Sequence, residues 1–155
     1  MTTTTLWQVE LDFPLALLEP SVVELVTAGE ELAVPYCHPM LQSLLLWRGH
    51  WIPILRTVGN SPTLLIVKAM SSPDCPYLAL AMAQTPGKCS VTDAQFAPSL
   101  PEGDKLTRSP WYQCALSAVD IDARIIPIID PALCMTNDFL NTLYQHYRKS
   151  PSSVR

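Results

Sequence analysis

Few residues in this chain combine the types and the spacing that chemistry requires. Cys37 and His38 are the most enzyme-like pair, because an imidazole can activate a thiolate nucleophile. Adjacent residues on an extended chain point to opposite sides, so neighbours in sequence rarely pair in space. Asp120 and Asp122 offer two carboxylates, whereas calcium takes six or more oxygen ligands. The sequence therefore predicts no catalytic residue, no metal site and no cofactor, and a cysteine hydrolase at Cys37 is kept only as a hypothesis to test.

The cysteines favour a reducing compartment. Their number is odd, and no pair has the CxxC or zinc-type spacing: Cys37, Cys75, Cys89, Cys114 and Cys134. No apolar run approaches the roughly 20 residues that a spanning helix needs, and the first residues do not resemble a secretory signal. We therefore expect a cytoplasmic protein without membrane insertion, in which most cysteines are small buried apolar residues.

Charge and composition narrow the fold and the partners. The net charge is −4, with only 10 lysines and arginines and no basic stripe, which argues against nucleic acid as a partner. Prolines number 15 against 5 glycines, and 48% of the residues are apolar. Because proline cannot donate to a helix interior or a central strand, so many prolines indicate short elements joined by rigid turns. The prediction is an all-β fold.

Alternation of apolar and polar residues places the strands. A period of two over residues 6–13 predicts a half-buried strand, and further strands are expected at 21–27, 41–47, 51–57, 63–70, 77–83, 111–119 and 124–130. Residues 85–110 are polar and are expected to be extended and edge-like, with a loop around 98–105. A three-residue connection at 48–50 would place Trp47 and Trp51 on one face, which favours a core position for Trp51.

The end of the chain predicts the one convincing helix and a short helical turn before it. Phe139, Leu140 and Leu143 fall on one face at helical spacing, and Thr136 or Asn137 could cap the helix. Upstream, Asp130 followed by a proline predicts a capped turn. The sequence also repeats itself weakly, because WIPIL at 51–55 resembles IIPII at 125–129. This repetition favours two related β subdomains.

Residues 44–55, LLLWRGHWIPIL, resemble the signature of CheW-like domains, in which an apolar strand leads into Asn-Leu-Arg-Gly and then a proline-containing strand. Residues 22–25, VVEL, resemble the Val-x-Glu-Val/Ile strand of that family. The resemblance covers roughly residues 6–135. It implies two intertwined SH3-like β-barrels and a C-terminal helix in a single domain over 6–149. The subdomains would comprise about 21–84, and 85–135 together with 6–20, followed by a flexible tail at 150–155.

The resemblance also implies a function. CheW-like proteins are non-enzymatic adaptors that couple the cytoplasmic tip of a chemoreceptor to the regulatory domain of a histidine kinase. The positions that match the family's partner-binding groove are Val22, Glu24, Arg48 and Gly49. Trp47 flanks the arginine and offers the large rigid surface typical of interface anchors.

The chain also departs from the family signature. Ser43, Leu46, Trp47 and Arg56 stand where the family has glycine, asparagine, leucine and aspartate. By analogy, such divergence fits a specialised array, such as one that controls twitching motility. A small β-barrel module that binds a peptide or nucleic acid is the alternative.

Overall fold

The structure is a computed structural model that describes residues 2–11, 14–27, 29–33, 39–41, 43–57, 63–69, 76–97 and 110–148. It contains twelve described strands: β1 (Thr3–Glu10), β2 (Pro14–Leu18), β3 (Val22–Thr27), β4 (Glu30–Leu32), β5 (Ser43–Trp47), β6 (His50–Leu55), β7 (Thr63–Lys68), β8 (Tyr77–Ala81), β9 (Gly87–Thr92), β10 (Phe96–Ala97), β11 (Ala115–Ile121) and β12 (Arg124–Ile129). Short 3-10 helices lie at Glu19–Ser21, Asp93–Gln95, Pro110–Cys114 and Pro131–Met135, and helix α1 spans Asn137–Arg148. The predicted all-β fold with a C-terminal helix is confirmed.

The strands form two six-stranded sheets with the same topology. One sheet, called sheet B, has the order β3-β7-β8-β6-β5-β4, and the other, sheet A, has the order β10-β11-β12-β2-β1-β9. In each sheet the two edge strands follow one another in sequence, β3 and β4 in sheet B and β9 and β10 in sheet A. The next two strands form a hairpin, and the second strand of that hairpin pairs in parallel with a further strand, β6 with β8 and β12 with β2. Strands β1 and β2, from the start of the chain, complete sheet A, whose other strands lie after residue 86. The chain therefore crosses between the sheets and intertwines them.

The repeated motif with a central proline occupies the same place in both sheets. Pro53 on β6 lies opposite Leu44, and parallel pairing with β8 begins at the next residue, Ile54. Pro127 on β12 lies opposite Ala118, and parallel pairing with β2 is at Ile128. Because proline lacks an N–H, it fits at a position where the strand pairs with a neighbour on one side only. The resemblance between residues 51–55 and 125–129 therefore reflects structurally equivalent positions.

Three apolar clusters lie among the described residues. One lies inside sheet B and includes Leu45, Trp47, Ile52, Ile54 and Ile66. Another lies inside sheet A, and a third joins the two sheets to the helix; its members include Leu17, Leu55, Leu65, Leu80, Trp111 and Phe139. Central strands are therefore apolar on both faces, which explains why β7 is a continuous apolar run rather than an alternating one.

Helix α1 packs against the shared cluster as its spacing predicts. Phe139, Leu140 and Leu143 are buried, and the Phe139 ring lies 5.1 Å from that of Trp111. The Thr136 Oγ1 accepts a hydrogen bond from the backbone N–H of Phe139 at 3.3 Å, which identifies Thr136 as the cap.

Several other sequence predictions are also confirmed. Asp130 caps the short turn Pro131–Met135 by accepting a bond from the backbone N–H of Ala132. The polar stretch supplies β9 and β10, which are the edges of sheet A. The expected loop around 98–105 and the tail at 150–155 lie outside the described residues.

Two sequence predictions are wrong, one in strand register and one in where a strand begins. The hairpin β5–β6 has a two-residue turn, not a three-residue one, because Trp47 pairs directly with His50. Since a shift of one residue moves a side chain to the other face, Trp51 is 45% exposed instead of buried. The strand expected from residue 111 begins only at Ala115, since residues Pro110–Cys114 form a 3-10 helix that packs beneath α1.

Candidate partner-binding site

Glu24 owes its position to a β-bulge in β3. Val22 pairs with Val67 and Glu24 pairs with Ile66, so Val23 is an extra residue in the ladder. Val22 packs against the cluster shared by the two sheets. Glu24 lies on the other side, with Ile66, which belongs to the interior of sheet B. The bulge therefore turns a carboxylate toward the mouth of an otherwise apolar barrel.

Arg48 and Gly49 form the turn between β5 and β6. Both have positive φ angles, 49° and 79°, as a two-residue type I′ turn requires. Nothing lies within 4 Å of a β-carbon placed on Gly49, so glycine is favoured there for its conformation and not for space. Arginine at a positive φ is uncommon, since asparagine, aspartate and glycine adopt it more easily. Arg48 consequently lies at an exposed turn with a φ angle that disfavours arginine.

Glu24, Trp47 and Arg48 meet at one end of this barrel. The Trp47 indole Nε1 donates a 2.6 Å hydrogen bond to Glu24 Oε2, and Arg48 Nη2 lies 3.4 Å from Glu24 Oε1. The Arg48 guanidinium carbon is 4.8 Å from the centre of the Trp47 ring, within cation–π range. Strands β3 and β5 are far apart in the sheet order, so these contacts show that the sheet curls until β3 faces β5.

Trp47 and Arg48 differ in exposure, and the difference decides their roles. Trp47 is 8% exposed and meets the Tyr77 ring edge-on at a centroid distance of 5.1 Å. The side chain of Arg48 is 66% exposed, against 36% for Glu24. Trp47 therefore anchors the cluster, while Arg48 presents donors that its two contacts leave available to a partner. We call Glu24, Trp47, Arg48 and Gly49 the hairpin-tip site.

A second glutamate–arginine pair lies at the opposite end of the same barrel. Arg56, which follows β6, places Nη1 and Nη2 each 3.3 Å from one of the two Glu31 carboxylate oxygens. Arginine stands here in place of the aspartate of the family signature, and Glu31 on β4 supplies the opposite charge. The side chains are 26% and 33% exposed, so this fork-to-fork pair fixes the β4 edge against the end of β6.

The structure brings together four of the five predicted site residues. Val22 is apart from them on the face toward the shared core, and its role in partner binding stays a prediction. Tyr77 belongs beside Trp47, but sequence reasoning missed it. It lies 30 residues from Trp47, on a strand that carries no local signal of the contact.

The enzyme-like candidates form no assembled site among the described residues. Cys37 and His38 lie outside the described part of the chain. The described cysteines are free thiols: Cys89 is partly exposed, and Cys114 and Cys134 are buried with their sulfur atoms 3.7 Å apart. The hydrogen bond from Cys134 to Cys114, and then burial, raise the pKa of the Cys134 thiol well above its ordinary value, which disfavours a nucleophilic thiolate.

Among the described residues, no group of three or more histidine, cysteine, aspartate or glutamate side chains could hold a metal ion. No helix of this part of the chain is long and apolar enough to cross a membrane.

Comparison with solved structures identifies the fold. The crystal structure of the scaffolding protein TtCheW from Thermoanaerobacter tengcongensis superimposes with a TM-score of 0.65 at 14% sequence identity. The alignment covers 88% of this chain and 95% of that one. The chain has a CheW-like fold. No protein-family model matches the sequence, and no curated protein sequence does. The expected pair of intertwined barrels is thus met by a chain that is only 14% identical in sequence to the scaffolding protein.

Proposed function

We propose that this protein is a non-enzymatic, cytoplasmic chemosensory adaptor. It couples the signalling tips of chemoreceptors to the regulatory domain of a histidine kinase, and its hairpin-tip site contacts one of these partners. The observation that carries the proposal is the exposed Arg48 guanidinium, held at the tip by Glu24 and the Trp47 ring within a CheW-like fold. An array that controls twitching motility is the setting that the divergent signature favours.

The geometry supports partner contact in two ways. Arg48 occupies a turn position that asparagine would fill more comfortably, so its presence there is better explained by its side chain than by the turn. Its guanidinium is also held in place before any partner arrives. A held arginine loses less conformational freedom on binding a carboxylate than a free one does.

The test replaces Arg48 with asparagine. Arg48→Asn removes the guanidinium but keeps a residue that tolerates the positive φ, so the hairpin should keep its stability or gain slightly. Arg48→Lys keeps the charge without the fork. Arg124→Asn is the matched control, because it removes an exposed arginine that begins β12, beside the equivalent turn of sheet A. The measurement is the affinity for the cognate kinase regulatory domain and for a receptor tip.

We expect Arg48→Asn to weaken one of the two complexes by about tenfold or more, which is the effect of losing a good charged contact. Arg48→Lys should recover part of that loss, and Arg124→Asn should bind as the unmodified protein does. If the unmodified protein is folded and binds neither partner, the adaptor function is wrong. If it binds both and Arg48→Asn has no effect, the hairpin-tip site is not the contact.

A further inference from the structure

A second surface lies on the other side of the same hairpin. Cross-strand partners share a face, and Glu30, Leu46 and Trp51 are such partners across β4, β5 and β6. Two residues further along each strand, away from the turn, the next row on the same face is Leu32, Leu44 and Pro53. Both rows face away from the interior of sheet B, which holds Leu45, Trp47 and Ile52. We call Glu30, Leu32, Leu44, Leu46 and Trp51 the outer face.

The outer face is apolar and accessible. Leu32 is 46% exposed and Trp51 is 45% exposed, two of the four large hydrophobic side chains most exposed among the described residues. Leu44 and Leu46 are half-buried beside them. In sheet A the turn has the same length, and the pair equivalent to Leu46 and Trp51 is Asp120 and Ile125. The apolar row is thus specific to sheet B.

Strand β4 also has an open edge. It is the edge strand of sheet B, it pairs only with β5 among the described residues, and all three of its residues are exposed. An edge strand of this kind can accept another strand through its unpaired backbone groups, while alternate side chains of the added strand contact the face. Added residues two apart would lie beside Glu30 and beside Leu32.

The charges on β4 indicate which kind of strand could bind beside it. Glu31 points to the interior side and is already paired with Arg56, whereas Glu30 is on the outer face with no ion pair among the described residues. The added strand should therefore carry a basic residue next to Glu30 and an apolar residue two positions away. A second copy of this chain fits poorly, because antiparallel pairing of two β4 strands centred on Glu30 or Glu31 places glutamates opposite each other.

From these observations we infer that the β4 edge of the outer face is a docking site for an extended segment of a partner protein, added as a strand beside β4. On the outer side, the segment alternates a basic residue beside Glu30 with apolar residues beside Leu32. The site is separate from the hairpin-tip site and does not depend on which partners bind there.

The experiment uses the full chain and a seven-residue blocked peptide, TVTKTVT. The peptide reads the same in both directions, so it can place lysine beside Glu30 in a parallel or an antiparallel strand. TVTETVT is the matched peptide with the charge reversed. Binding is followed by NMR titration of the backbone amides of β4 and of the other edge strands, β3, β9 and β10. Sedimentation of the protein alone reports self-association.

TVTKTVT should shift the signals of β4, and TVTETVT should bind several-fold more weakly. Leu32→Thr, which keeps a good strand residue beside the added strand, should weaken TVTKTVT by about threefold. Glu30→Lys should weaken TVTKTVT and strengthen TVTETVT by about threefold each, as expected for one cross-strand charge pair. Leu116→Thr, an exposed leucine on β11 that is 57% accessible, is the control and should change nothing.

Three results would overturn the inference. The first is equal affinity for TVTKTVT in Leu32→Thr and the unmodified protein. The second is a set of shifts confined to the other edge strands, β3, β9 or β10. The third is self-association that Trp51→Thr abolishes, without peptide binding, which would assign the face to a second copy. Arg48→Asn tests the hairpin-tip site alone and leaves the outer face as it is, so the two proposals can fail separately.

Discussion

The hydrogen bond between Trp47 and Glu24 joins β3 to β5 across the mouth of the barrel. Its contribution to the free energy of unfolding should be large enough to measure. The change is Trp47→Phe, which keeps an aromatic ring against Tyr77 and beneath Arg48 but removes the indole N–H. The acceptor is a carboxylate and the N–O distance is 2.6 Å. Hydrogen bonds to charged groups contribute about 1.5–3 kcal/mol, and partial exposure of Glu24 places this one near the lower value.

The smaller ring adds a second cost, since Trp47 is almost fully buried. Filling its site with phenylalanine leaves part of the volume empty, which costs about 1 kcal/mol. We therefore expect Trp47→Phe to lower the free energy of unfolding by about 2–3 kcal/mol, with an unchanged m-value in a denaturant titration. A single substitution cannot separate the two contributions, so the measurement is a double-mutant cycle with Glu24→Met. That partner change removes the acceptor at nearly constant shape.

The coupling energy in this cycle should be about 1.5 kcal/mol and should persist in about 1 M salt, where the Debye length is about 3 Å. The coupling between Glu24 and Arg48 is the internal comparison. That exposed ion pair should contribute less than about 1 kcal/mol and should fade in the same salt. A Trp47–Glu24 coupling within about 0.3 kcal/mol of zero would refute the view that this bond closes the barrel.

Three further changes test the rest of the fold. Ala123→Gly should stabilise the protein by about 1 kcal/mol in thermal or chemical unfolding, because Ala123 has a φ of 65° in the turn before β12; a loss of stability would contradict the strain. Thr136→Ala should cost about 1 kcal/mol by removing the cap of α1, with Thr136→Ser as the control that keeps the hydroxyl. The raised pKa of the buried Cys134 thiol keeps it protonated at a pH where the thiol of the unfolded chain ionises. Its stabilising contribution to the free energy of unfolding is therefore complete below pH about 8.5, and it declines above that pH by up to about 1.4 kcal/mol per pH unit. Cys134→Ser should flatten that alkaline slope in unfolding titrations between about pH 9 and 10.5, and an unchanged slope would assign the loss to other groups.

Much of the fold could be predicted because its determinants are local. Alternation, proline content and turn residues indicated the strands of the β5–β6 and β11–β12 hairpins, and helical spacing indicated α1. The repeated proline motif located the two equivalent strands, β6 and β12. The short strand β2 was harder to predict, since Leu15 and Leu17 face the shared core while Ala16 faces the interior of sheet A. A strand that is apolar on both faces shows no period of two.

The site could be predicted only in part, and the reason is register. The resemblance predicts Glu24 and Arg48 as site residues, but the contact between them depends on a bulge at Val23 that no sequence period reveals. The exposure of Trp51 depends on a turn of two residues instead of three, a difference of one position in the pairing. Tyr77 joins the site through a long-range packing contact. Each missed feature is a property of pairing between strands, which a single strand's sequence does not specify.

The register of one hairpin also explains how a small barrel can offer two different surfaces. With a two-residue turn, Trp47 and its row lie inside the barrel, where the indole can reach Glu24 and support Arg48 at the tip. The same register places Leu46 and Trp51 outside, beside the open edge of β4. The corresponding hairpin of sheet A has the same register but carries Asp120 on its outer row, so it builds no continuous apolar face. The two sheets therefore share a topology, and the residues of a single hairpin give sheet B a charged tip on one side and an apolar face on the other.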